Sequence, residues 1–254
     1  MATISEEAAW RILREFVGDC HRIDDDTLIA VYAIGSLGGG YYRPGQSDID
    51  AVLIVRDGSE AIWGESGEPG RALASLCEVY RERCDVPKDF GAFPIQRKDL
   101  FPPYYPRKEL TQEIARLKVQ GVSVYGSFDL DAVPMPTAED FRRDAQHFEE
   151  WWRDEYSKET PPETMSLMAC VNTVLTHLSR FLRIERGVLE FDKRKIVSSY
   201  LANDPPFADH GVLRIVERAV SQGHAPEEDL SALRTYVLVI RTRMNTYLGI
   251  RVCS

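Results

Sequence analysis

The feature that most constrains this chain is a change in the period of its apolar residues. Up to about residue 100, short runs rich in β-branched and aromatic residues alternate with stretches of helical spacing. After about residue 135 the strand signals stop. Near the start, Ala9, Leu13, Phe16 and Val17, with Trp10 beside them, follow helical spacing behind Ser5 as N-cap. The runs 28–34 and 51–55 have the length of buried strands and are punctuated by Gly or Asp. Residues 70–83 read as a helix, and Phe90 to Gln96 as a strand that Pro94 demotes towards a sheet edge. A further helix is expected from about Arg107 to Gln120, just after Pro106. Beyond the change of period, Thr137 and Asp140 form an N-terminal cap for a helix reaching Trp151 and Trp152. Helices are then expected over 164–186, before Gly187, over 193–202 and 210–222, and over 226–247, before Gly249. Strands mixed with helices, followed by helices alone, predict an α+β fold: a sheet domain over 1–132 and an all-helical bundle over 133–254. The stretch from Asp129 to Pro136, with two prolines, is the expected link.

Composition narrows the function classes. The 254 residues carry 31 basic and 40 acidic side chains, a net charge of −9. That balance argues against a nucleic-acid groove, which needs Lys and Arg to neutralise phosphates, and favours a cationic small substrate. No apolar run approaches the ~20 residues of a membrane span, and the acidic start has no signal-peptide pattern. Five cysteines (Cys20, Cys77, Cys84, Cys170 and Cys253) are odd in number and irregularly spaced, which fits reduced thiols in a cytoplasmic protein. The expectation is a cytoplasmic globular protein with no nucleic-acid or membrane partner, working as a monomer or weak dimer.

The segment that carries chemistry is Ile34 to Asp50. A strand ends at Gly35-Ser36, a stretch containing Gly38-Gly39-Gly40 follows, and a second strand opens with Ser47-Asp48-Ile49-Asp50. Side chains alternate along a strand, so Asp48 and Asp50 are expected on one face, ~7 Å apart. Two carboxylates beside glycine amides make a site for Mg²⁺ and a polyphosphate, because magnesium prefers one or two carboxylates plus substrate phosphates. The Ser36 and Ser47 hydroxyls flank the same space. A lone Asp-x-Asp is usually a solvated strand end and a lone glycine cluster a turn. The ordered combination is far more specific than either.

In that combination the chain resembles the DNA polymerase β-like nucleotidyltransferases, over roughly residues 25–100. The resemblance implies a mixed-sheet catalytic domain flanked by helices, two Mg²⁺ ions on the aspartates, and transfer of a nucleoside monophosphate to an acceptor hydroxyl. Further segments resemble the AadA-type aminoglycoside (streptomycin and spectinomycin) adenylyltransferases: Tyr105 to Leu110, Val122 to Gly126, Leu178-Ser179-Arg180, Asp192-Lys193 and Tyr247-Leu248-Gly249. That family implies AMP transfer from ATP to an aminocyclitol hydroxyl, with loss of pyrophosphate. Gly35, Ser36, Ser47, Arg180, Lys193 and Tyr247 are its implied nucleotide contacts. Arg180 and Lys193 keep the family's thirteen-residue spacing. The implied metal ligands are Asp48, Asp50 and a third carboxylate, Asp89, which also serves as general base. Asp89 fits with a one-residue shift, and Asp85 and Glu82 are alternatives.

The chain departs from the family before the helix bearing Arg180. There the antibiotic enzymes carry a Trp and acidic residues, whereas residues 160–170 hold no Trp and one acid, Glu163. The acceptor therefore stays open between an aminoglycoside, another metabolite and, as in antitoxin-like relatives, a partner protein. The histidines show no metal spacing, and no serine or cysteine triad is supported.

Overall fold

The computed structural model describes residues 4–84, 90–104, 110–153, 161, 164–203, 208–222 and 226–250. The chain divides into two compact units, Met1–Pro136 and Thr137–Ser254.

The first unit is built on a four-stranded sheet of β1 (Leu28–Ile34), β2 (Ile49–Val55), β5 (Phe90–Gln96) and β6 (Val122–Gly126). Their order is β5-β2-β1-β6, with β1 antiparallel to both neighbours and β2 parallel to β5. A two-stranded hairpin, β3 (Gly64–Glu65) and β4 (Glu68–Pro69), lies beside the outer edge of β5, where the Gly67 amide donates to the Pro94 carbonyl (2.8 Å). Pro94 therefore sits on an edge strand, where its missing N–H costs no ladder bond.

Both faces of the sheet are covered, so the strands read as continuous apolar runs. On one face Ile49, Ala51, Leu53 and Val55 pack with Ala9, Leu13, Phe16 and Val17 of α1 (Glu6–Ile23), and with Leu73 and Cys77 of α4 (Arg71–Arg81). On the other, Val52, Ile54 and Ile34 pack with Leu110, Ile114 and Leu117 of α5 (Leu110–Gln120). A bulge between Leu28 and Ala30 turns Ile29 and Ala30 to the same face, after which alternation resumes. Ser5 caps α1 by accepting from the Ala8 amide (3.2 Å).

Several elements depart from the periodicity. β2 starts at Ile49, two residues before the apolar run. The glycine-rich stretch opens with a single helical turn, α2 (Gly35–Gly38). The strand β6, the short helix α3 (Glu60–Trp63) and the β3–β4 hairpin carry no period to reveal them. β6 is an edge strand with no fully buried residue, and the others are too short. Of the helix expected from Arg107, residues 105–109 lie outside the described residues.

The second unit is helical: α6 (Ala138–Trp151), α7 (Leu167–Arg186), α8 (Lys193–Leu201), α9 (His210–Gln222) and α10 (Leu230–Leu248). The capping box at α6 is reciprocal: the Asp140 amide donates to Thr137 Oγ1 (3.2 Å) and the Thr137 amide to Asp140 Oδ2 (2.9 Å). α7 starts behind Ser166, and α7 and α10 end at Gly187 and Gly249, both left-handed (φ +62° and +74°). A 3₁₀ turn, Glu227–Asp229, takes the first residues of the helix expected from 226. α7 is buried along most of its length and packs against the other four helices. No described helix is long and apolar enough to cross a membrane.

Candidate functional site

Ile34, Asp50 and Gly91 stand in one row across β1, β2 and β5, on the same face of the sheet. Ile49 turns to the opposite face and is 1% exposed in the core, which fixes the direction of Asp50. Gly35, directly after Ile34, adopts φ +63°, a conformation open to glycine and strained for other residues. A Cβ on Gly35 would lie 2.9 Å from Asp50 Oδ2, and a Cβ on Gly91 would lie 3.0 Å from Asp50 Oδ1. The Asp50 carboxylate thus occupies a slot between two glycines and is itself half-buried.

Asp48 precedes the strand rather than lying in it. It leaves a turn in which the Ser47 amide donates to the Arg43 carbonyl (2.9 Å) and the Arg43 amide donates to Ser47 Oγ (2.9 Å). Ser36 Oγ lies 3.4 Å from the Asp48 carbonyl oxygen, a long contact tying the start of α2 to the same turn. Gly35, Ser36, Ser47, Asp48 and Asp50 are therefore brought together by three short segments at one end of the sheet. The glycine stretch rests on α5: the Gln120 amide side chain donates to the Tyr41 hydroxyl (3.0 Å), and the Tyr41 ring lies 2.4 Å from where a Cβ on Gly39 would be. Neither Gln120 nor Gly91 stands out in the sequence, because their relation to the loop arises only from packing.

Two carboxylates with oxygen donors suit Mg²⁺, which takes its remaining ligands from water and substrate phosphates. Among the described residues no group of three or more His, Cys, Asp or Glu side chains could hold a metal ion. Asp89, expected as third ligand and base, and Asp85 lie outside the described residues; Glu82 lies just past α4 and is exposed.

In the second unit, Arg180 on α7 is 5% exposed and donates from Nη1 to Glu149 Oε1 (3.1 Å), its guanidinium 3.7 Å above the Phe148 ring. Glu149 also faces His177 Nε2 (2.9 Å) and Arg241 Nε (3.6 Å). Burial pushes the Glu149 carboxyl upwards, but the His177, Arg180 and Arg241 charges outweigh it and bring it to about 2. His177 Nδ1 lies 2.7 Å from the Thr173 carbonyl oxygen, a backbone hydrogen bond. Trp152 carries the Arg241 guanidinium at 4.6 Å and packs near Phe148, so it belongs to the same cluster.

Lys193, the first residue of α8, is exposed. The preceding Asp192 caps that helix and binds Arg194 through both oxygens (2.8 and 2.6 Å). Tyr247 is half-buried. Its hydroxyl accepts from Arg142 Nη2 (3.0 Å) and donates to Glu185, and the Arg142 guanidinium lies 4.9 Å from its ring centre. Arg142 and Glu185 were not expected beside Tyr247, since α6 and α7 meet α10 only in the folded bundle.

No family model matches the chain, and no curated protein matches it. Among solved structures it is similar to an Enterococcus spectinomycin adenyltransferase, AAD(9), determined with ATP and spectinomycin. The TM-score is 0.62 at 17% identity, over 91% of this chain and 98% of that one. At that identity the likeness is one of fold: a mixed sheet flanked by helices and followed by a helical C-terminal part, as in that adenyltransferase.

Proposed function

We propose that the protein transfers AMP from ATP to a hydroxyl of a small polar acceptor and releases pyrophosphate. The observation that carries this reading is the Asp50 carboxylate set between Gly35 and Gly91, beside the turn that delivers Asp48, on a nucleotidyltransferase fold. It is further supported by the neighbour's having been solved with ATP.

In this reading Asp48 and Asp50 hold two Mg²⁺ ions, with Asp89 as the third carboxylate. When bound, the ions supply charge neutralisation for the triphosphate and for the oxygen that leaves. Gly35, Ser36 and Ser47 bind and orient the triphosphate, and Asp89 takes the acceptor proton. The acceptor oxygen then bonds to the α-phosphorus, the bond from that phosphorus to the bridging oxygen breaks, and pyrophosphate departs with the electron pair. Arg180 and Lys193 are assigned to the β- and γ-phosphates, and Tyr247 to the nucleoside. Arg180 would be presented with its orientation already set by Glu149 and Phe148. Held in that way, a guanidinium loses less freedom on meeting an anion.

The acceptor we favour is an aminoglycoside or aminocyclitol, in line with the spectinomycin of the neighbour. One observation favours a less cationic metabolite: from Thr164 to Ile184 the chain bears no acidic residue to meet a polycation. Cys20 and Cys77 are buried thiols, and burial pushes Cys77 up to about 11, which keeps it unreactive and suits a reducing cytoplasm. The test is mass spectrometry of an acceptor panel incubated with the protein, ATP and Mg²⁺. The panel holds streptomycin, spectinomycin, other aminoglycosides, lincosamides and neutral cyclitols. One compound gaining a single adenylyl group is the expected result. ATP binding with no acceptor modified would defeat the small-molecule reading.

A further inference from the structure

The geometry points to Gly91 as a positioning residue for the Asp50 carboxylate: the absence of a side chain on β5, opposite Gly35, holds that carboxylate in the orientation in which it meets a divalent cation. The inference rests on the reading of Asp50 as a metal ligand. Parallel pairing puts Gly91 beside Asp50, and antiparallel pairing puts Ile34 on its other side. Each carboxylate oxygen faces one glycine: Oδ2 lies 2.9 Å from a Cβ built on Gly35, and Oδ1 lies 3.0 Å from one built on Gly91. Both distances are shorter than the ~3.3–3.6 Å at which carbon and oxygen ordinarily meet. A methyl group at Gly35 would force the carboxylate to move, and one at Gly91 would press it aside by a few tenths of an ångström.

The two glycines differ in a way that makes Gly91 the informative one. Gly35 has φ +63°, so any substitution there strains the backbone whatever it does to Asp50. Gly91 is not among the glycines with positive φ, so its backbone tolerates alanine and only its neighbours oppose it. Those neighbours are Asp50 Oδ1 and the Phe93 ring, two residues along the same face of β5, whose atoms lie 3.3 and 3.4 Å from the built Cβ. Side-chain orientation at a metal site is commonly worth 10–100-fold in metal affinity.

The experiment is a titration of Mn²⁺ into the protein with ATP, followed by electron paramagnetic resonance, which needs no acceptor and no turnover. Gly91→Ala is expected to weaken Mn²⁺ binding about tenfold or more relative to the wild-type protein. The loss should persist in Gly91→Ala/Phe93→Leu, where the ring no longer crowds the new methyl. Wild-type affinity in Gly91→Ala overturns the inference, and so does recovery in the Phe93→Leu background, which would assign the effect to packing. If the wild-type protein with ATP does not take up Mn²⁺, the metal-site reading fails and this inference with it, a result distinct from the other two. Thermal melting covers the case in which Gly91→Ala folds poorly. Truncation in Asp50→Ala should remove most of the destabilisation caused by Gly91→Ala, and undiminished destabilisation there overturns the inference.

Discussion

Two carboxylates, one in each unit, stand in contrasting surroundings. Asp50 is half-buried near the start of a strand, with a glycine close to each of its carboxylate oxygens. Glu149 is 1% exposed, and its orientation comes from charge, with Arg180, Arg241 and His177 converging on it. A buried carboxylate needs such partners to offset its desolvation, and removing one partner strands the others. A half-buried carboxylate flanked by glycines at a sheet end suits a cation and a phosphate. Ionisable clusters with strongly perturbed pKa values are often read as active sites. Here Glu149, with its carboxyl brought well below the ordinary range, sits in the helical unit, whereas the proposed metal site is marked by backbone geometry.

The largest expected effect tests the first half of this contrast. Asp48→Asn or Asp50→Asn should lower AMP transfer more than about 1,000-fold, a loss of roughly 4 kcal/mol in transition-state stabilisation. The melting temperature should stay near the wild-type value. Activity close to wild type in either variant would remove the assigned metal site. Glu149→Gln should act first on the fold and lose about 3–5 kcal/mol of stability, read by urea unfolding, because Arg180 and Arg241 stay buried without their anion.

Acid should separate the two carboxylates as well. Glu149 sits at about 2 in the folded protein, below its ordinary 4.5. Its protonated form is therefore disfavoured by the fold. The stability it contributes is complete above pH 4.5 and is lost as the pH falls towards 2. Circular dichroism of Glu149→Gln should show a shallower loss of helix over that window than the wild-type protein. The smallest effect is expected for Tyr41→Phe, which keeps the ring on Gly39 but loses the bond from Gln120. A change of about 0.5–1.5 kcal/mol in ATP affinity, seen by calorimetry, would show that the latch supports the loop.

How much of this could be read beforehand varies with the range of the interaction. The helices of the second unit were legible because their ends are written locally: Thr137 with Asp140, Ser166, Gly187 and Gly249 each act within a few residues. Strands β1 and β5 and most of β2 were legible as apolar runs bounded by turn residues. β6 was not, since an exposed edge strand carries little apolar signal. At the candidate site, the sequence brought Gly35-Ser36 and Ser47 to Asp50 into view as types in order. It placed Asp48 inside the strand, whereas the Arg43–Ser47 turn delivers Asp48 just ahead of it. Arg180 was singled out by spacing, but its bond to Glu149 spans thirty-one residues and leaves no local trace.

By itself, then, the sequence determined the α+β character, the helical C-terminal part and the identities of the two aspartates. Periodicity, caps and strand alternation are properties of neighbours in the chain. Only the tertiary structure decided that Gly91 stands beside Asp50, that Gln120 props the glycine stretch through Tyr41, and that Glu149 is encircled by cations. Those facts depend on strand register and helix packing between residues distant in sequence, where the free energy is set by shape and desolvation rather than by local propensity.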